Sequence, residues 1–198
     1  MRPELSKGPA EEARTCDARR VLAEGRFARF VIQGGWEWVE RTNASGAALI
    51  VAVTEDGRLI LVQQYRIPLA KAVIELPAGL AGDLAGSEHE ALAEAARREL
   101  FEETGYEAER MEYLTEGPAS AGLSTEVYTL FLAANVRRVG PGGGDHTENI
   151  QVHLVPLAEV PQWLEQRRQQ GLLVDPRIYA GLFFANDRLK PQRVGSIH

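Results

Sequence analysis

The sequence predicts an α+β sandwich, in which helices pack on a sheet. Three observations support this prediction. Several apolar segments alternate in the manner of β-strands, an alanine-rich helical segment lies near the middle of the chain, and two further helical segments follow the last strand. The 198 residues are enough for one full hydrophobic core. We therefore expect one main domain.

Seven segments have the alternation and composition of β-strands. They are residues 27–32, 36–41, 47–53, 59–65, 72–76, 127–132 and 150–155. Gly34-Gly35 separates the first two strands, and Asp56-Gly57 separates the third from the fourth by a turn that strongly favours hairpins. The two helical segments near the end of the chain are residues 160–169 and 176–184.

The chain is predicted to have three parts. Residues 1–22 are polar and interrupted by prolines and a glycine, so we expect either a mobile arm or a short strand that docks elsewhere. Residues 23–46 contain the first strands and are candidates for a dimer contact. Residues 47–198 form the main domain.

Composition and charge exclude several function classes. The formal net charge of −6 leaves no basic surface for a polyanion, so no nucleic-acid partner is expected. Cys16 is the only cysteine and cannot form an intrachain disulfide, and no apolar segment follows Met1. We therefore expect neither secretion nor membrane insertion, and the cytoplasm is the expected location.

Residues 98–105 carry the clearest functional signal. Glu99, Glu102 and Glu103 fall within about one helical turn, and Glu99 and Glu103 share a face. Their like charges repel, so the cluster is either a solvated acidic face or a site for a cation such as Mg²⁺, which prefers carboxylate oxygens. Arg98 precedes Glu102 by four residues and can hold that carboxylate in an ion pair.

The helix around this cluster has its own sequence signals. Ser87 and Glu90 have the spacing of a capping box, which predicts a helix that begins at Ser87. The alanine-rich segment 91–96 has high helix propensity, and Gly105 suits the C-terminal end. Glu90 acts either as a cap alone or also near a bound metal.

The order of these residues resembles the helical part of the Nudix hydrolase motif. The matching residues are Glu90, Arg98, Glu99, Leu100, Glu102, Glu103, Gly105 and Tyr106. The glycine that the family places six residues before the first glutamate is replaced by Leu84. The nearest equivalent is Gly79, separated from Glu90 by ten residues, which indicates a loop insertion. The resemblance implies an α/β/α sandwich with a mixed central sheet and an N-terminal antiparallel sheet.

Three flanking segments narrow the resemblance to the ADP-ribose and nucleoside-diphosphate-sugar pyrophosphatases. These segments are residues 36–42, 64–66 and 75–80. The resemblance implies that Trp36 stacks on the base, that Arg41 and Arg66 contact the substrate, and that Glu75 and Gly79 belong to the same site. An aromatic face suits a nucleobase, and guanidinium groups suit phosphate oxygens. A strand-borne tryptophan can equally be a core or dimer contact.

The resemblance also implies a metal site. Glu99, Glu102, Glu103 and the carbonyl of Ala78 would hold Mg²⁺, with Mn²⁺ as an alternative, and the metal would lower the pKa of a bound water. Glu102 also remains a candidate for the general base.

The general base is expected in the glycine-rich segment 142–149. Glu148 is the first choice because it aligns with a catalytic glutamate of the relatives. His146 is the alternative in the same segment, since the pKa of histidine suits proton transfer near neutral pH. Either side chain can also be an ordinary solvated loop residue.

The expected reaction is hydrolysis of the diphosphate bond of ADP-ribose or a related nucleoside diphosphate sugar. The products would be a nucleoside monophosphate and a sugar phosphate. The segment 120–122, Ser-Ala-Gly, departs from the Ser-Pro-Gly of ADP-ribose hydrolases, so GDP-mannose and oxidised nucleotides remain alternative substrates.

A different class also remains open, a non-catalytic nucleotide-sensing module, although such a module would more readily lose Glu102 or Glu103. The resemblance further implies a homodimer in which residues 20–42 cross to the partner.

Overall fold

The computed structural model describes residues 18–82, 91–144 and 149–189. The first three strands are β1 (Arg20–Glu24), β2 (Ala28–Gln33) and β3 (Trp36–Arg41). The strands of the main domain are β4 (Gly46–Thr54), β5 (Arg58–Arg66), β6 (Lys71–Glu75), β7 (Ala78–Ala81), β8 (Tyr106–Glu107), β9 (Glu112–Pro118), β10 (Val127–Arg138), β11 (Gln151–Pro156) and β12 (Leu173–Val174). The α-helices are α1 (Leu92–Thr104), α2 (Val160–Gln169) and α3 (Arg177–Arg188).

The strands form two sheets. β1, β2 and β3 make a three-stranded antiparallel sheet. The other nine strands form one sheet with the order β12-β6-β5-β4-β10-β8, to which β11 adds on β5, β7 on β4 and β9 on β10. The β4–β10 and β12–β6 pairs are parallel, and the other pairs are antiparallel. The predicted mixed central sheet and N-terminal antiparallel sheet are confirmed.

Helices cover both faces of the large sheet. Side chains of a strand alternate between its two faces, so neighbours along β4 belong to different cores. Ile50 packs with Ala96 and Leu100 of α1. Val51 packs on the other face in the core that includes Leu164 of α2 and residues of α3. The predicted α/β/α sandwich is therefore confirmed, and among the described helices α1 packs on one face while α2 and α3 pack on the other.

The small N-terminal sheet joins the main domain along β3. Val39 of β3 exchanges backbone hydrogen bonds with Leu123 and Thr125. Beside it, the Glu40 carboxylate accepts hydrogen bonds from Arg19 and Trp38, which lower its pKa to about 2. All residues of β1 are exposed, while Val31 of β2 is fully buried but belongs to neither of the two large core clusters.

The structure differs from the prediction mainly in several short strands and in the residue at which α1 begins. β7, β8, β9 and β12 were not predicted: β8 and β12 have two residues and β7 has four, too few to show an alternation, and β9 contains two glutamates and ends in Gly117-Pro118. β1 overlaps the short strand that was one of the two alternatives for residues 1–22, and it pairs with β2. α1 begins at Leu92, and Ala91 before it has an extended backbone, whereas the capping box predicted a start at Ser87. Ser87 and Glu90 themselves lie outside the described residues. None of the helices in the described ranges is long and apolar enough to cross a membrane.

Candidate active site

A pocket with a volume of about 480 Å³ lies between α1, β7 and the ends of β3 and β5. Seven of the ten predicted site residues line it. They are Arg41, Arg66, Glu75, Ala78, Gly79, Glu99 and Glu103. Glu102 and Trp36 are not among the lining residues, and Glu148 lies outside the described part of the chain. The fold thus gathers side chains from three distant stretches of sequence in one place.

Glu103 is the most deeply buried carboxylate of the pocket, with 4% of its surface exposed. One of its carboxylate oxygens, Oε2, accepts a hydrogen bond of 3.1 Å from the backbone N–H of Ala78. A buried charge is costly unless it is paired or coordinated. The backbone hydrogen bond fixes the Glu103 side chain against β7. The fixed and buried carboxylate is therefore a candidate ligand for a cation.

Gly79 allows β7 to pass directly beside Glu99. A Cβ atom added at Gly79 would lie 1.8 Å from Cγ of Glu99 and 2.1 Å from its Cδ, which no side chain can tolerate. The φ of Gly79 is not in the left-handed region, so the need for glycine here is one of space. Gly79 therefore holds the position of the Glu99 carboxylate by leaving room for it.

Arg98 connects the carboxylates of α1 to β7. Its Nη1 donates to Oε1 of Glu99 at 2.9 Å and to Oε2 of Glu102 at 3.1 Å. Its Nη2 donates to the carbonyl of Leu80 at 3.0 Å. The predicted Arg98–Glu102 pair is confirmed, and it holds a Glu102 side chain that is 47% exposed and outside the pocket.

The residues present fit a hard divalent cation. Among the residues that the structure describes, no three His, Cys, Asp or Glu side chains are grouped closely enough to hold a metal by themselves. Mg²⁺ is commonly held by only one or two carboxylates together with waters and substrate phosphates. Glu99 and Glu103, on one face of α1 beside the backbone of Ala78, supply such a partial set of ligands.

Two arginine–glutamate pairs also line the pocket. Nε of Arg66 lies 2.8 Å from Oε2 of Glu75, and Nε of Arg41 lies 2.7 Å from Oε1 of Glu126. Each of these bonds engages one of the five N–H donors of a guanidinium group. Glu126 was not predicted as a site residue, since it contacts Arg41 across 85 positions of sequence.

Trp36 lies away from this pocket. It is at the start of β3 and is 59% exposed. Arg41 ends the same strand, and five residues of extended chain span about 17 Å. The pocket of a single protomer therefore includes Arg41 without Trp36, and base stacking by Trp36 stays a prediction.

The glycine-rich segment after β10 packs on the C-terminal end of α1. The backbone N–H groups of Gly143 and Gly144 donate to the carbonyls of Glu103 and Glu102, at 2.7 and 3.1 Å. Gly142 has a φ of +67°, and a Cβ there would lie 2.3 Å from the backbone of Thr104. Glycine at position 142 therefore permits the close approach of this segment to α1. Glu148 and His146 lie outside the described residues.

A larger cavity of about 970 Å³ lies on the other flank of α1. Its lining includes Glu94, Arg97, Phe101 and Arg137, and it contains none of the ten predicted site residues. We take the smaller pocket as the candidate active site because it holds the buried Glu103, the partly buried Glu99 and both arginine pairs.

The family model described as "NUDIX domain" matches residues 44–173, which is more than half of the chain. The chain therefore belongs to the Nudix family. A solved structure described as "Crystal structure of ADP compounds hydrolase" aligns with a TM-score of 0.65 and 22% identity, over 87% of this chain and 92% of that one. At this identity, the alignment supports the fold.

Three relatives illustrate the range of similar sequences. The methanol dehydrogenase activator of Bacillus methanolicus is 35% identical over 62% of this chain and 64% of its own length. The ADP-ribose pyrophosphatase of Bacillus subtilis is 34% identical over the same shares. The ADP-sugar pyrophosphatase of Mus musculus is 33% identical over 80% of this chain and 78% of its own. The matches thus span less than two thirds of the two Bacillus proteins.

Proposed function

We propose that the protein hydrolyses the diphosphate bond of ADP-ribose or a related nucleoside diphosphate sugar. The observation that carries this proposal is the pocket that combines Glu99 and Glu103 with Arg66 and Arg41. Carboxylates that hold a metal and guanidinium groups that bind phosphate are the two requirements for cleaving a charged diphosphate. The names of two relatives, an ADP-ribose and an ADP-sugar pyrophosphatase, support the same substrate class.

The proposed metal is Mg²⁺, with Mn²⁺ as an alternative. Glu99, Glu103 and the carbonyl of Ala78 would hold it, with Glu102 as a further ligand. When bound, the metal would supply charge neutralisation at the phosphates and lower the pKa of a water. The donors of Arg66 and Arg41 that are not used by Glu75 and Glu126 would bind phosphate oxygens and orient the diphosphate.

In the proposed reaction, water attacks one phosphorus atom while the bridging P–O bond breaks. Glu148 would accept the proton of the water, and the products would be a nucleoside monophosphate and a sugar phosphate. The Glu148→Gln variant is then expected to lose about 10²-fold or more in kcat, because general-base catalysis typically contributes this much. Steady-state kinetics would measure it. An effect near unity would move the role to His146 or Glu102.

The experiment that tests the function is a substrate panel with and without Mg²⁺. It contains ADP-ribose, GDP-mannose, ADP-glucose, diadenosine polyphosphates and oxidised nucleotides, and the products are separated by chromatography. We expect Mg²⁺-dependent turnover with ADP-ribose or another ADP-sugar as the best substrate. If no member is hydrolysed in the presence of Mg²⁺, the enzyme proposal is wrong and a non-catalytic binding role takes its place.

GDP-mannose is the second candidate substrate. The Ser120-Ala121-Gly122 segment lacks the proline of the ADP-ribose hydrolases that it otherwise resembles, and it directly precedes Leu123, which contacts β3. A higher kcat/KM for GDP-mannose than for ADP-ribose in the panel would favour this alternative.

We also propose that the protein forms a homodimer through the N-terminal sheet. This sheet exposes Val21, Leu22, Phe27 and Trp36, each at more than 40% of its surface. Large apolar side chains grouped on one small sheet are typical of an interaction surface. Such a dimer would bring Trp36 of one protomer toward the pocket of its partner. Sedimentation at several concentrations would test this, and a monomer throughout would contradict it.

A further inference from the structure

An ion pair between a buried carboxylate and a partly exposed arginine lies where α3 begins. Asp175 is one of the few buried charged residues in the described ranges, with 8% of its surface exposed. Nε of Arg177 lies 2.8 Å from both of its carboxylate oxygens, and Nη2 contacts Oδ2 as well. The backbone N–H of Arg177 also donates to Oδ1 at 2.8 Å. Several bonds from one arginine to one carboxylate hold the guanidinium group in a single orientation.

The same pair is attached to the sheet beside the pocket. The backbone N–H of Asp175 donates to the carbonyl of Ile74 at 2.9 Å, and Ile74 directly precedes the pocket residue Glu75. The start of α3 is therefore fixed relative to the wall that carries the Arg66–Glu75 pair. Neither Asp175 nor Arg177 lines the pocket itself.

Arg177 reaches the pocket through Tyr128. Its guanidinium carbon lies 4.2 Å from the centre of the Tyr128 ring, a typical cation–π distance. Tyr128 lines the pocket and lies opposite Ala47, another lining residue, in the β10–β4 pair. Burial raises the pKa of the Tyr128 hydroxyl, while the neighbouring Arg177 guanidinium acts in the opposite direction. The ring thus forms part of the pocket wall in contact with a fixed charge.

We propose that Arg177 is a positioning residue for the substrate pocket, which holds the Tyr128 ring in place while Asp175 holds Arg177. This inference rests on the proposed function, because it assigns a role within the same site. An ion pair with a buried carboxylate is by itself weak evidence for a role in stability, since apolar replacements of similar volume are often neutral. Here the pair lies directly behind a pocket wall, and α3 thereby contributes to substrate binding without touching the substrate.

The expected consequence is a change in KM rather than in kcat. In the Arg177→Met variant, the Tyr128 ring loses the charge that fixes it, while Glu99 and Glu103 are unaffected. We expect KM for the best substrate of the panel to rise by about 2- to 30-fold, the range that corresponds to a cation–π contact, with kcat within about twofold of wild type. Arg177→Lys should give a smaller rise, because lysine keeps the charge but not the several bonds to Asp175.

The chain offers a matched control. The guanidinium carbon of Arg167 on α2 lies 4.9 Å from the ring of Trp163, the same kind of contact away from the pocket. Arg167→Met should leave KM unchanged. If Arg167→Met raises KM as much as Arg177→Met does, the effect is a general loss of packing and the proposal is wrong.

A double-mutant cycle tests the route through Tyr128. If Arg177 acts through this ring, the KM of the double variant should be close to the KM of Tyr128→Leu alone. If the two residues act independently, the two increases in KM should multiply in the double variant. Titration calorimetry with a non-hydrolysable α,β-methylene analogue of the best substrate measures the same cycle as affinities, without turnover. If the Arg177→Met variant does not fold, the same cycle is measured with Arg177→Lys in its place, combined with Tyr128→Leu.

The outcomes separate this proposal from the function on which it rests. A wild-type protein that neither hydrolyses nor binds any member of the panel contradicts both. If the wild-type protein hydrolyses or binds a member of the panel, two results would contradict only the role of Arg177 and leave the proposed function intact. One is an unchanged KM and affinity in Arg177→Met, and the other is multiplicative effects of the two substitutions in the cycle. The role of Arg177 is supported if Arg177→Met raises KM in the wild-type background but not in the Tyr128→Leu background.

Discussion

The Glu103→Gln variant is expected to lose at least about 10²-fold in kcat. This loss is larger than the usual effect of substituting a residue that only hydrogen-bonds to a metal ligand. Glutamine has the same length and can still accept the hydrogen bond that Ala78 donates to Glu103. It removes the negative charge that a divalent cation requires. The fold should therefore persist while the affinity for metal and the rate fall together. Kinetics at increasing Mg²⁺ and thermal unfolding would measure the two effects separately.

Glu94 provides the control for this variant. It lies on the same helix, is 61% exposed, and lines the larger cavity instead of the candidate site. Glu94→Gln should leave kcat and its dependence on Mg²⁺ close to those of wild type. A Glu103→Gln variant that retains full activity would show that this carboxylate is a structural group of the core.

The Gly79→Ala variant is expected to lose activity through the displacement of Glu99. The added methyl group would occupy the place of Cγ of Glu99, which it would approach to 1.8 Å. The side chain must leave, and its bond from Arg98 must break or move. We expect kcat to fall by about 10²-fold, because misplacement of a site group by about 1 Å can cost this much. Overpacking should also lower stability by about 1–3 kcal/mol.

A second substitution separates the two effects of Gly79→Ala. Adding Glu99→Ala removes the atoms with which the methyl group clashes, so the double variant should regain stability but not activity. Gly117→Ala is the control, since a Cβ at Gly117 meets no atom within 4 Å. Chemical unfolding and steady-state kinetics provide the measurements. A Gly79→Ala variant that turns over substrate like wild type would mean that Glu99 need not occupy its present position.

Local spacing made much of this arrangement predictable. The 100° period of a helix places Glu99 and Glu103 on one face, and both line the pocket. The four-residue spacing likewise predicted the Arg98–Glu102 pair. The long strands and both C-terminal helices were predictable because their apolar patterns extend over several residues.

The rest depends on contacts between residues that are distant in sequence. Nothing near Gly79 indicates that its Cα lies against Glu99, since β7 is only four residues long and its alignment on β4 is set by the sheet. The pairing of Arg177 with Tyr128 joins α3 to β10, and neither segment carries a signal for it. The packing of Gly142 on Thr104 is equally a product of the closed fold.

The central claim is that the acidic face of α1 binds cations that take part in diphosphate hydrolysis. The most direct test is anomalous diffraction from crystals soaked with Mn²⁺ and a non-hydrolysable ADP-ribose analogue. We predict an anomalous peak at bonding distance from the Glu99 and Glu103 carboxylates, beside the diphosphate. The absence of a peak there while the analogue is clearly bound, or a peak only in the larger cavity beyond α1, would contradict the account.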